Sequence, residues 1–304
     1  MYFIGLMMKL KKNASPKSHG SDGRGRVNLS NEKGRCIVVT GRGGTGKSTF
    51  VTLMTRFLGD LGYKPLLIVD SDPDESLAEM LGVDLRGEGK ETISEMIFDI
   101  IEGRKMSKMV GMTASDKIEP FLFQNVLYEG RGFFDFIAVG TKWSEGCYCV
   151  PDRALGQIIE RWSTNYDYVV VDSPAGVEHL NRRITKEVKS VFNILDPSKK
   201  SFDNAQRTHK IMREVGIEYE DYYLVGGYRF TGGLEAEARK QPFEYLGRID
   251  FDKNVQHHNL EGISLLDLPE NLPAYSSVKE IIKRAGYKRK SPTLSQLLSS
   301  KQDT

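Results

Sequence analysis

The sequence has 304 residues and a net charge of +2. Apolar residues make up 39% of the chain and charged residues 28%, which is typical of a globular protein and excludes a wholly disordered chain. A charge this close to neutral does not indicate nucleic acid or an anionic membrane as a partner. No run approaches the roughly 20 apolar residues that a membrane-spanning helix requires. We therefore expect neither nucleic acid nor a membrane as a partner.

The first residues and the cysteine count favour a cytoplasmic location. Residues 1–8 are apolar, and the basic residues Lys9, Lys11 and Lys12 follow them. A signal peptide has the opposite order, with its basic residues first. The three cysteines cannot all pair within the chain, which argues against a secreted disulfide framework.

Residues 1–34 are rich in Lys, Ser, Gly and Asn without an apolar period, and we expect a flexible tail there. Short apolar runs then predict buried strands at 36–40, 65–70, 134–139, 168–172, 190–195, 222–225 and 245–249. Helices are predicted between most of them, for example at 48–61, 152–162, 202–215 and 277–285. This alternation predicts an α/β fold with a doubly wound, mostly parallel sheet and helices on both faces. The expected organisation is one domain over residues 35–287, followed by a flexible tail over 288–304.

A glycine-rich motif follows the first predicted strand. Residues 41–48 read Gly-Arg-Gly-Gly-Thr-Gly-Lys-Ser and match the P-loop pattern G-x-x-x-x-G-K-[ST] between a strand and a helix. Backbone N–H groups of such a loop surround phosphates, and the helix start adds partial positive charge. Lys47 should reach the β- and γ-phosphates, and the Ser48 hydroxyl should ligate Mg²⁺. The motif thus predicts binding and hydrolysis of a nucleoside triphosphate, with nucleotide-binding residues Gly41, Gly43, Gly44, Thr45, Gly46, Lys47, Ser48 and Thr49.

Aspartates close two further predicted strands. Asp172 ends the strand 168–172 and should hold Mg²⁺ through water, and Asp70 ends the strand 65–70 as a further magnesium residue beside Ser48. Asp72 lies beyond its strand, where it can orient the attacking water and accept its proton. An acid at a strand end is often a turn former or a helix cap. Three of them beside a P-loop favour the catalytic interpretation.

The P-loop followed by Asp-Ser-Asp-Pro at 70–73 resembles the deviant-Walker ATPases, the class of MinD, ParA and the nitrogenase iron protein. The resemblance implies a MinD-like P-loop NTPase fold and a nucleotide-dependent homodimer, in which a second P-loop lysine reaches into the partner's site. This chain has Arg42 at that position. A guanidinium can also cross and bind phosphate, which would make Arg42 catalytic together with Lys47 and Asp72. A solvated arginine is the alternative, and the sequence leaves both open.

Within that class the chain is similar to the CooC family, ATPases that mature carbon monoxide dehydrogenase by nickel insertion. The similarity extends over about residues 35–287. It rests on Gly-Cys-Tyr-Cys-Val-Pro at 146–151, Asp-Ser-Pro-Ala-Gly-Val-Glu-His-Leu-Asn-Arg-Arg at 172–183 and Asp-Pro-Ser-Lys at 196–199. It implies ATP as the nucleotide and carbon monoxide dehydrogenase, or its partner enzyme acetyl-CoA synthase, as the client. The base site departs from the family pattern, because residues 226–229 read Gly-Gly-Tyr-Arg where an Asn is usual and Asp250 stands where a proline is common.

Cys147 and Cys149 are one residue apart, in a predicted loop between a strand and a helix. Thiolates bind soft or borderline metals such as nickel and zinc. Two thiolates leave a tetrahedral or square-planar site half empty, whereas a two-fold dimer supplies four. The family resemblance implies the same arrangement, with Ni²⁺ or Zn²⁺ held between the subunits. The spacing alone also fits two ordinary small residues or a redox pair. Cys36 begins a predicted strand and is expected in the core.

Two other functions fit parts of the pattern. An iron–sulfur carrier or reductase-type ATPase would place its cysteines differently, because the nitrogenase iron protein uses two widely separated cysteines and the carriers use C-x-x-C after the second magnesium aspartate. A ParA- or MinD-like positioning ATPase needs a basic surface or an amphipathic membrane anchor. The sequence indicates neither, so the nickel metallochaperone is the favoured interpretation.

Overall fold

The computed structural model describes residues 34–72, 74–102, 123–141, 149–174 and 187–291. The strands in this part of the chain are β1 (Arg35–Gly41), β2 (Leu66–Asp70), β3 (Tyr128–Gly130), β4 (Phe134–Ala138), β5 (Tyr168–Asp172), β6 (Glu187–Leu195), β7 (Glu218–Gly226) and β8 (Glu244–Arg248). The helices are α1 (Lys47–Asp60), α2 (Ser76–Leu81), α3 (Ile93–Ile101), α4 (Cys149–Trp162), α5 (Lys199–Glu214), α6 (Gly232–Ala238), α7 (Lys253–Glu261) and α8 (Pro273–Arg284).

The strands form one sheet in the order β3-β4-β2-β5-β1-β6-β7-β8. The short strand β3 runs antiparallel to β4, and the remaining pairings are parallel. Every residue of β2 and β5 is buried, as expected for parallel strands covered on both faces. The predicted doubly wound, mostly parallel sheet is confirmed.

The core consists of two hydrophobic layers, one on each face of the sheet. In β1, Cys36 and Val38 belong to one layer, and Ile37 and Val39 belong to the other, because successive side chains of a strand point to opposite faces. Helices α3, α4 and α5 cover the first layer. Helices α1, α2 and α8 cover the second. The expected core position of Cys36 is confirmed, since it is 2% exposed.

Helix α1 connects the core to the loop between β1 and the first helical turn. Five of its buried apolar side chains recur every three or four residues, which is the spacing of one helix face; they are Phe50, Leu53, Met54, Phe57 and Leu58. This packing fixes the start of α1 at the carboxyl end of β1.

Several element bounds differ from the sequence prediction. Strands β6 and β7 begin earlier than predicted, at Glu187 and Glu218, and helices α5 and α8 begin earlier, at Lys199 and Pro273. Most of the early strand residues are charged, so these segments lack the apolar signal of a buried strand. Two of these charges are paired: Glu220 contacts the guanidinium of Arg35, and its other oxygen lies 3.7 Å from Lys189 Nζ.

The described chain packs against the domain as far as Lys290. Its backbone N–H donates to Leu61 O at 2.8 Å, and its ammonium group pairs with the carboxylate of Asp167. None of the helices in the described ranges is both long and apolar enough to cross a membrane.

Candidate nucleotide site

The carboxyl ends of three neighbouring strands bring the predicted site residues together. Asp70 of β2 lies in register with Asp172 of β5, and Asp172 lies in register with Val39 of β1. The loop that follows β1 therefore meets both aspartates at one edge of the sheet, where ligands of open α/β sheets bind. Both aspartates are buried, with 1% and 0% of their surface exposed.

The P-loop has the local geometry of a phosphate cradle. Gly46 has φ 95°, in the left-handed region that favours glycine, and α1 begins at the next residue. Thr45 closes the loop through a hydrogen bond from its hydroxyl to Arg42 O at 2.9 Å. Within the described residues no side chain caps the first turn of α1. Its first N–H groups and its partial positive charge are therefore available to an anion.

Asp70 is held by backbone groups of the segment that follows it. Its Oδ1 accepts a hydrogen bond from Asp72 N at 3.0 Å, and its Oδ2 accepts one from Leu77 N at 3.2 Å. Burial raises the pKa of Asp70 well above its ordinary value, the charge of Asp172 adds to this increase, and the two N–H donors partly oppose it. Asp70 thus fixes the path of the chain from β2 to α2 through its two N–H donors.

Asp172 differs from Asp70 because neither of its carboxylate oxygens has a hydrogen-bonding partner among the described residues. Burial raises its pKa to about 6, although the nearby ammonium of Lys47 and the adjacent Ser48 hydroxyl lower it. A fully buried carboxylate without a partner is costly unless a cation compensates it. Carboxylate and hydroxyl oxygens are the ligands that Mg²⁺ prefers, so Asp172 and the Ser48 hydroxyl fit a magnesium ion at this position.

Lys47 and Asp72 lie close together above the two buried aspartates. Lys47 Nζ is 3.9 Å from Asp72 Oδ2, and 6% of the Lys47 side chain is exposed. The Ser48 hydroxyl lies 3.2 Å from the hydroxyl of Ser76, the first residue of α2. The structure therefore brings together Lys47, Ser48 and Asp72, with Ser76 as a neighbour that sequence reasoning did not name.

Arg42 forms an ion pair within its own chain. Its Nη1 lies 2.5 Å from Asp196 Oδ2 and donates to the Ser198 hydroxyl at 3.1 Å. These partners belong to the Asp-Pro-Ser-Lys stretch after β6, which no local sequence pattern connects with the P-loop. Because 42% of the Arg42 side chain is exposed, the guanidinium is both paired and accessible.

A cavity of about 130 Å³ adjoins the P-loop. The side chains around it include an aromatic ring from the loop after β7, two residues from the loop after β8 and one from α7; they are Tyr228, Asp250, Phe251 and Gln256. Gly46 of the P-loop and Thr49 of α1 line the side of this cavity that is next to the phosphate-binding loop. The two loops are those in which the sequence departs from the family pattern at the base. The contribution of α7 was not predicted, because its polar surface residues carry no motif.

Gly227 has a steric role in the loop after β7. A Cβ atom on Gly227 would lie 2.4 Å from Thr45 O and 3.0 Å from Leu195 O, both of them backbone atoms. The end of β7 therefore touches the P-loop so closely that any side chain at this position would displace one of them.

The cysteine prediction lies largely outside the described residues. Cys147 is in the range 142–148, and Cys149 is the first residue of α4, whose first side chains are not described. Among the described residues no group of three or more His, Cys, Asp or Glu side chains is arranged to hold a metal ion.

A family model described as AAA domain matches residues 34–218, which is more than half of the chain. The chain belongs to the AAA domain family. Together with the P-loop and the two strand-end aspartates, this membership makes the protein a P-loop ATPase.

This AAA-domain ATPase is 32% identical over 254 residues to an uncharacterised ATP-binding protein of Methanocaldococcus jannaschii, covering 82% of this chain and 97% of the relative. It is 27% identical over 251 residues to the carbon monoxide dehydrogenase accessory protein CooC of Rhodospirillum rubrum, covering 76% of this chain and 89% of the relative. Its structure resembles the septum site-determining protein MinD of Pyrococcus horikoshii complexed with Mg-ADP, with a TM-score of 0.59 and 19% identity over 83% of this chain and 95% of that one. The MinD-like P-loop fold is thereby confirmed.

Proposed function

We propose that this ATPase is a nickel metallochaperone that works as a Mg-ATP-dependent homodimer. Each subunit contributes Cys147 and Cys149, and the four thiolates hold one nickel ion as cargo. The client is carbon monoxide dehydrogenase or acetyl-CoA synthase, in the cytoplasm. The observation that carries the proposal is the Cys-x-Cys pair in a chain that is 27% identical to CooC over 89% of that relative's length.

The nucleotide is proposed to bind with its phosphates in the P-loop and its base in the adjoining cavity. The phosphate-binding residues are Gly41, Gly43, Gly44, Thr45, Gly46, Lys47, Ser48 and Thr49. The closeness of Gly46 and Thr49 to the cavity that contains Tyr228 supports this placement, since the base must lie within reach of the phosphates. The ring of Tyr228 offers a surface on which a purine can stack.

Magnesium is proposed to bind beside Ser48 and Asp172, with Asp70 contributing charge from the neighbouring strand. The two unpartnered oxygens of Asp172 support this assignment. When bound, the ion polarises the phosphate oxygens and stabilises negative charge on them. Lys47 binds the β- and γ-phosphates, and Asp72 orients the attacking water and accepts its proton.

Self-association is proposed to complete the metal site. The likeness to a MinD-type ATPase supports a dimer, because the deviant-Walker class that the sequence resembles closes face to face around two nucleotides. Closure of the dimer brings two cysteine pairs together, and hydrolysis separates them. Nucleotide turnover would in this way control whether nickel is held or released.

The proposal is tested by the metal content of the anaerobically purified protein, measured without nucleotide, with ADP and with ATP. We expect about one nickel or zinc ion per dimer, a content that depends on nucleotide, and complete loss of the metal in a Cys147→Ser/Cys149→Ser variant. Cys36→Ala is the matched control, because Cys36 is buried in β1 and its loss should leave the metal in place.

Two results would reject the metallochaperone. Nickel binding that survives the double cysteine substitution would place the metal elsewhere. Iron with stoichiometric sulfide at the cysteine pair would instead identify an iron–sulfur carrier or reductase-type ATPase.

A further inference from the structure

We propose that Ser71 is a positioning residue for magnesium binding. Its hydroxyl holds the backbone of Asp172 and thereby keeps the carboxylates of Asp70 and Asp172 beside each other. The proposal rests on the proposed function in one respect, namely that magnesium binds beside Asp172.

The carboxylates of Asp70 and Asp172 lie on the same face of the sheet. Asp70 of β2 is paired in register with Asp172 of β5. Two positions earlier, Ile68 and Val170 both pack in the hydrophobic layer that α1 covers, and every second side chain of a strand points to the same face. Neighbouring strands are about 4.8 Å apart, so two ionised carboxylates at this position repel each other in the protein interior.

Ser71 joins the two strands at the point where this repulsion acts. The paired part of β2 and β5 ends at Asp70 and Asp172, and Ser71 N then donates to Asp172 O at 3.0 Å. The Ser71 hydroxyl donates to the same carbonyl oxygen at 2.7 Å. A carbonyl oxygen has two lone pairs and can accept both bonds. The side chain thus adds a second bond between strand ends that the carboxylates tend to separate.

Backbone N–H groups also make the neighbouring links at this edge of the sheet. Val39 O accepts from Ser173 N at 2.9 Å, and Asp70 O accepts from Val139 N at 2.8 Å. The link to Asp172 O is the one that Ser71 doubles. The carboxylate of Asp172 has no hydrogen-bonding partner among the described residues, so its position depends on how its backbone is held.

Ser71 acts through Asp172 and does not itself reach the proposed position of the ion. Adjacent residues of an extended chain point to opposite faces, so Ser71 points away from the face that carries the two carboxylates. Its side chain is buried, with 1% of the residue exposed, and its hydroxyl hydrogen is used in the bond to Asp172 O.

Loss of the hydroxyl should therefore weaken magnesium binding without changing the phosphate site. With one bond fewer, repulsion separates the carboxylates of Asp70 and Asp172 in the protein without metal. Part of the binding free energy of the ion is then used to bring them back together, which lowers its affinity. The P-loop residues make no contact with the Ser71 hydroxyl among the described residues, so nucleotide binding without metal should not change.

The experiment measures the affinity of the full-length protein for a fluorescent ADP analogue, first with EDTA and then with saturating Mg²⁺. The ratio of the two affinities reports the contribution of the ion, and binding of Mg²⁺ to free nucleotide cancels when variants are compared. In Ser71→Ala we expect the wild-type affinity with EDTA and a ratio that is about three- to tenfold lower, the effect of one hydrogen bond. Ser71→Thr keeps the hydroxyl and should retain most of the ratio.

A second measurement needs neither nucleotide nor metal. Hydrogen exchange followed by mass spectrometry reports how readily the ends of β2 and β5 separate. In Ser71→Ala we expect faster exchange in the peptides that contain residues 66–72 and 168–173.

Ser190→Ala is the matched control. Ser190 is also a buried serine at a strand position, with 0% exposed, and its hydroxyl accepts from the Tyr287 hydroxyl at 3.0 Å. It lies near the start of β6, at the opposite edge of the sheet from Asp172. This variant should lose stability in urea, as Ser71→Ala does, but keep the wild-type ratio and the wild-type exchange in the two peptides.

The possible results separate the role of Ser71 from the magnesium assignment. A ratio that is lost in Asp172→Asn but unchanged in Ser71→Ala would overturn the role of Ser71 and leave the magnesium assignment in place. A ratio that is unchanged in Asp172→Asn would reject the magnesium assignment and the role of Ser71 with it. An equal fall in Ser190→Ala and Ser71→Ala would also overturn the proposal, because any buried hydroxyl would then have the same effect. None of these results depends on the cysteines.

Discussion

Asp172 has a carboxylate that is buried and without a hydrogen-bonding partner among the described residues. Its position at the end of β5 was predictable, because an apolar strand that ends in an acid beside a P-loop is a recognisable pattern. Its lack of partners was not predictable, because it depends on which groups of β2, α1 and α2 surround it. Asp70, in the same register, has two N–H donors.

The raised pKa of Asp172 predicts how the free energy of unfolding changes with pH in the protein without nucleotide or metal. Burial raises the pKa of Asp172 from 3.8 to about 6, so between these values the folded state binds more protons than the unfolded state. The contribution of Asp172 to the free energy of unfolding is therefore most favourable below pH 4 and is lost as the pH rises to 6. The loss is on the order of 3 kcal/mol.

Asp172→Asn should weaken this dependence, because the amide has no charge to bury, whereas the buried Asp70 keeps a pKa raised by its own burial. Urea unfolding at pH 4 and pH 7 should show a variant that is nearly as stable as wild type at the lower pH and more stable at the higher one. Millimolar Mg²⁺ should stabilise only the wild-type protein at pH 7. Asp203→Asn on the exposed face of α5 is the control, and a variant of Asp172 that is less stable than wild type at pH 7 would contradict the prediction.

Elements with a strong local signal were predicted well. β5 has the predicted bounds because all five of its residues are buried and apolar apart from the final Asp172. Elements that are short or polar were missed. β3 has three residues and exists only because β4 pairs with it, and α6 begins with Gly232 and Gly233, which favour a loop by propensity.

The contact between the end of β7 and the P-loop predicts a specific sensitivity at Gly227. In Gly227→Ala the new Cβ would lie 2.4 Å from Thr45 O, and backbone atoms cannot move there without shifting the phosphate cradle. We expect Mg-ATP affinity to fall roughly tenfold or more and the free energy of unfolding to fall by about 1–3 kcal/mol. Titration with a fluorescent ATP analogue and urea unfolding would measure both.

Gly233→Ala is the matched control for this substitution. A Cβ on Gly233 would meet no atom within 4 Å, and alanine is favoured over glycine in a helix by up to about 1 kcal/mol. This variant should be as stable as wild type or more stable, with unchanged nucleotide affinity. If Gly227→Ala also bound Mg-ATP normally, the contact between β7 and the P-loop would not set the shape of the site.

The order of the strands in the sheet decides which residues distant in sequence meet. β1 lies between β5 and β6, so the P-loop after β1 faces Asp172 on one side and Asp196 on the other. Arg42 and Asp196 are 154 positions apart, and no local pattern in the sequence connects them. The fold therefore places Arg42 in an ion pair within its own subunit, whereas the sequence left open whether it acts across the dimer or is solvated.

This ion pair predicts a competition between Asp196 and the phosphates of a partner subunit for Arg42. Exposed ion pairs contribute about 0.2–1 kcal/mol each, and a homodimer contains two of them, so releasing Arg42 in both subunits should strengthen Mg-ATP-dependent dimerisation by up to about 25-fold. Asp196→Asn should show this increase in sedimentation velocity experiments across a range of protein concentrations. Arg42→Ala should lose the nucleotide-dependent dimer, because no guanidinium remains to cross.

The double variant Arg42→Ala/Asp196→Asn distinguishes the two interpretations of Arg42. If Asp196 acts only by retaining Arg42, the double variant should dimerise as weakly as Arg42→Ala alone, because the two substitutions are then coupled. Asp203→Asn should leave the dimerisation constant unchanged. An Arg42→Ala variant that still dimerises with Mg-ATP like the wild-type protein would show that the guanidinium does not cross, and that its pairing with Asp196 is its structural role.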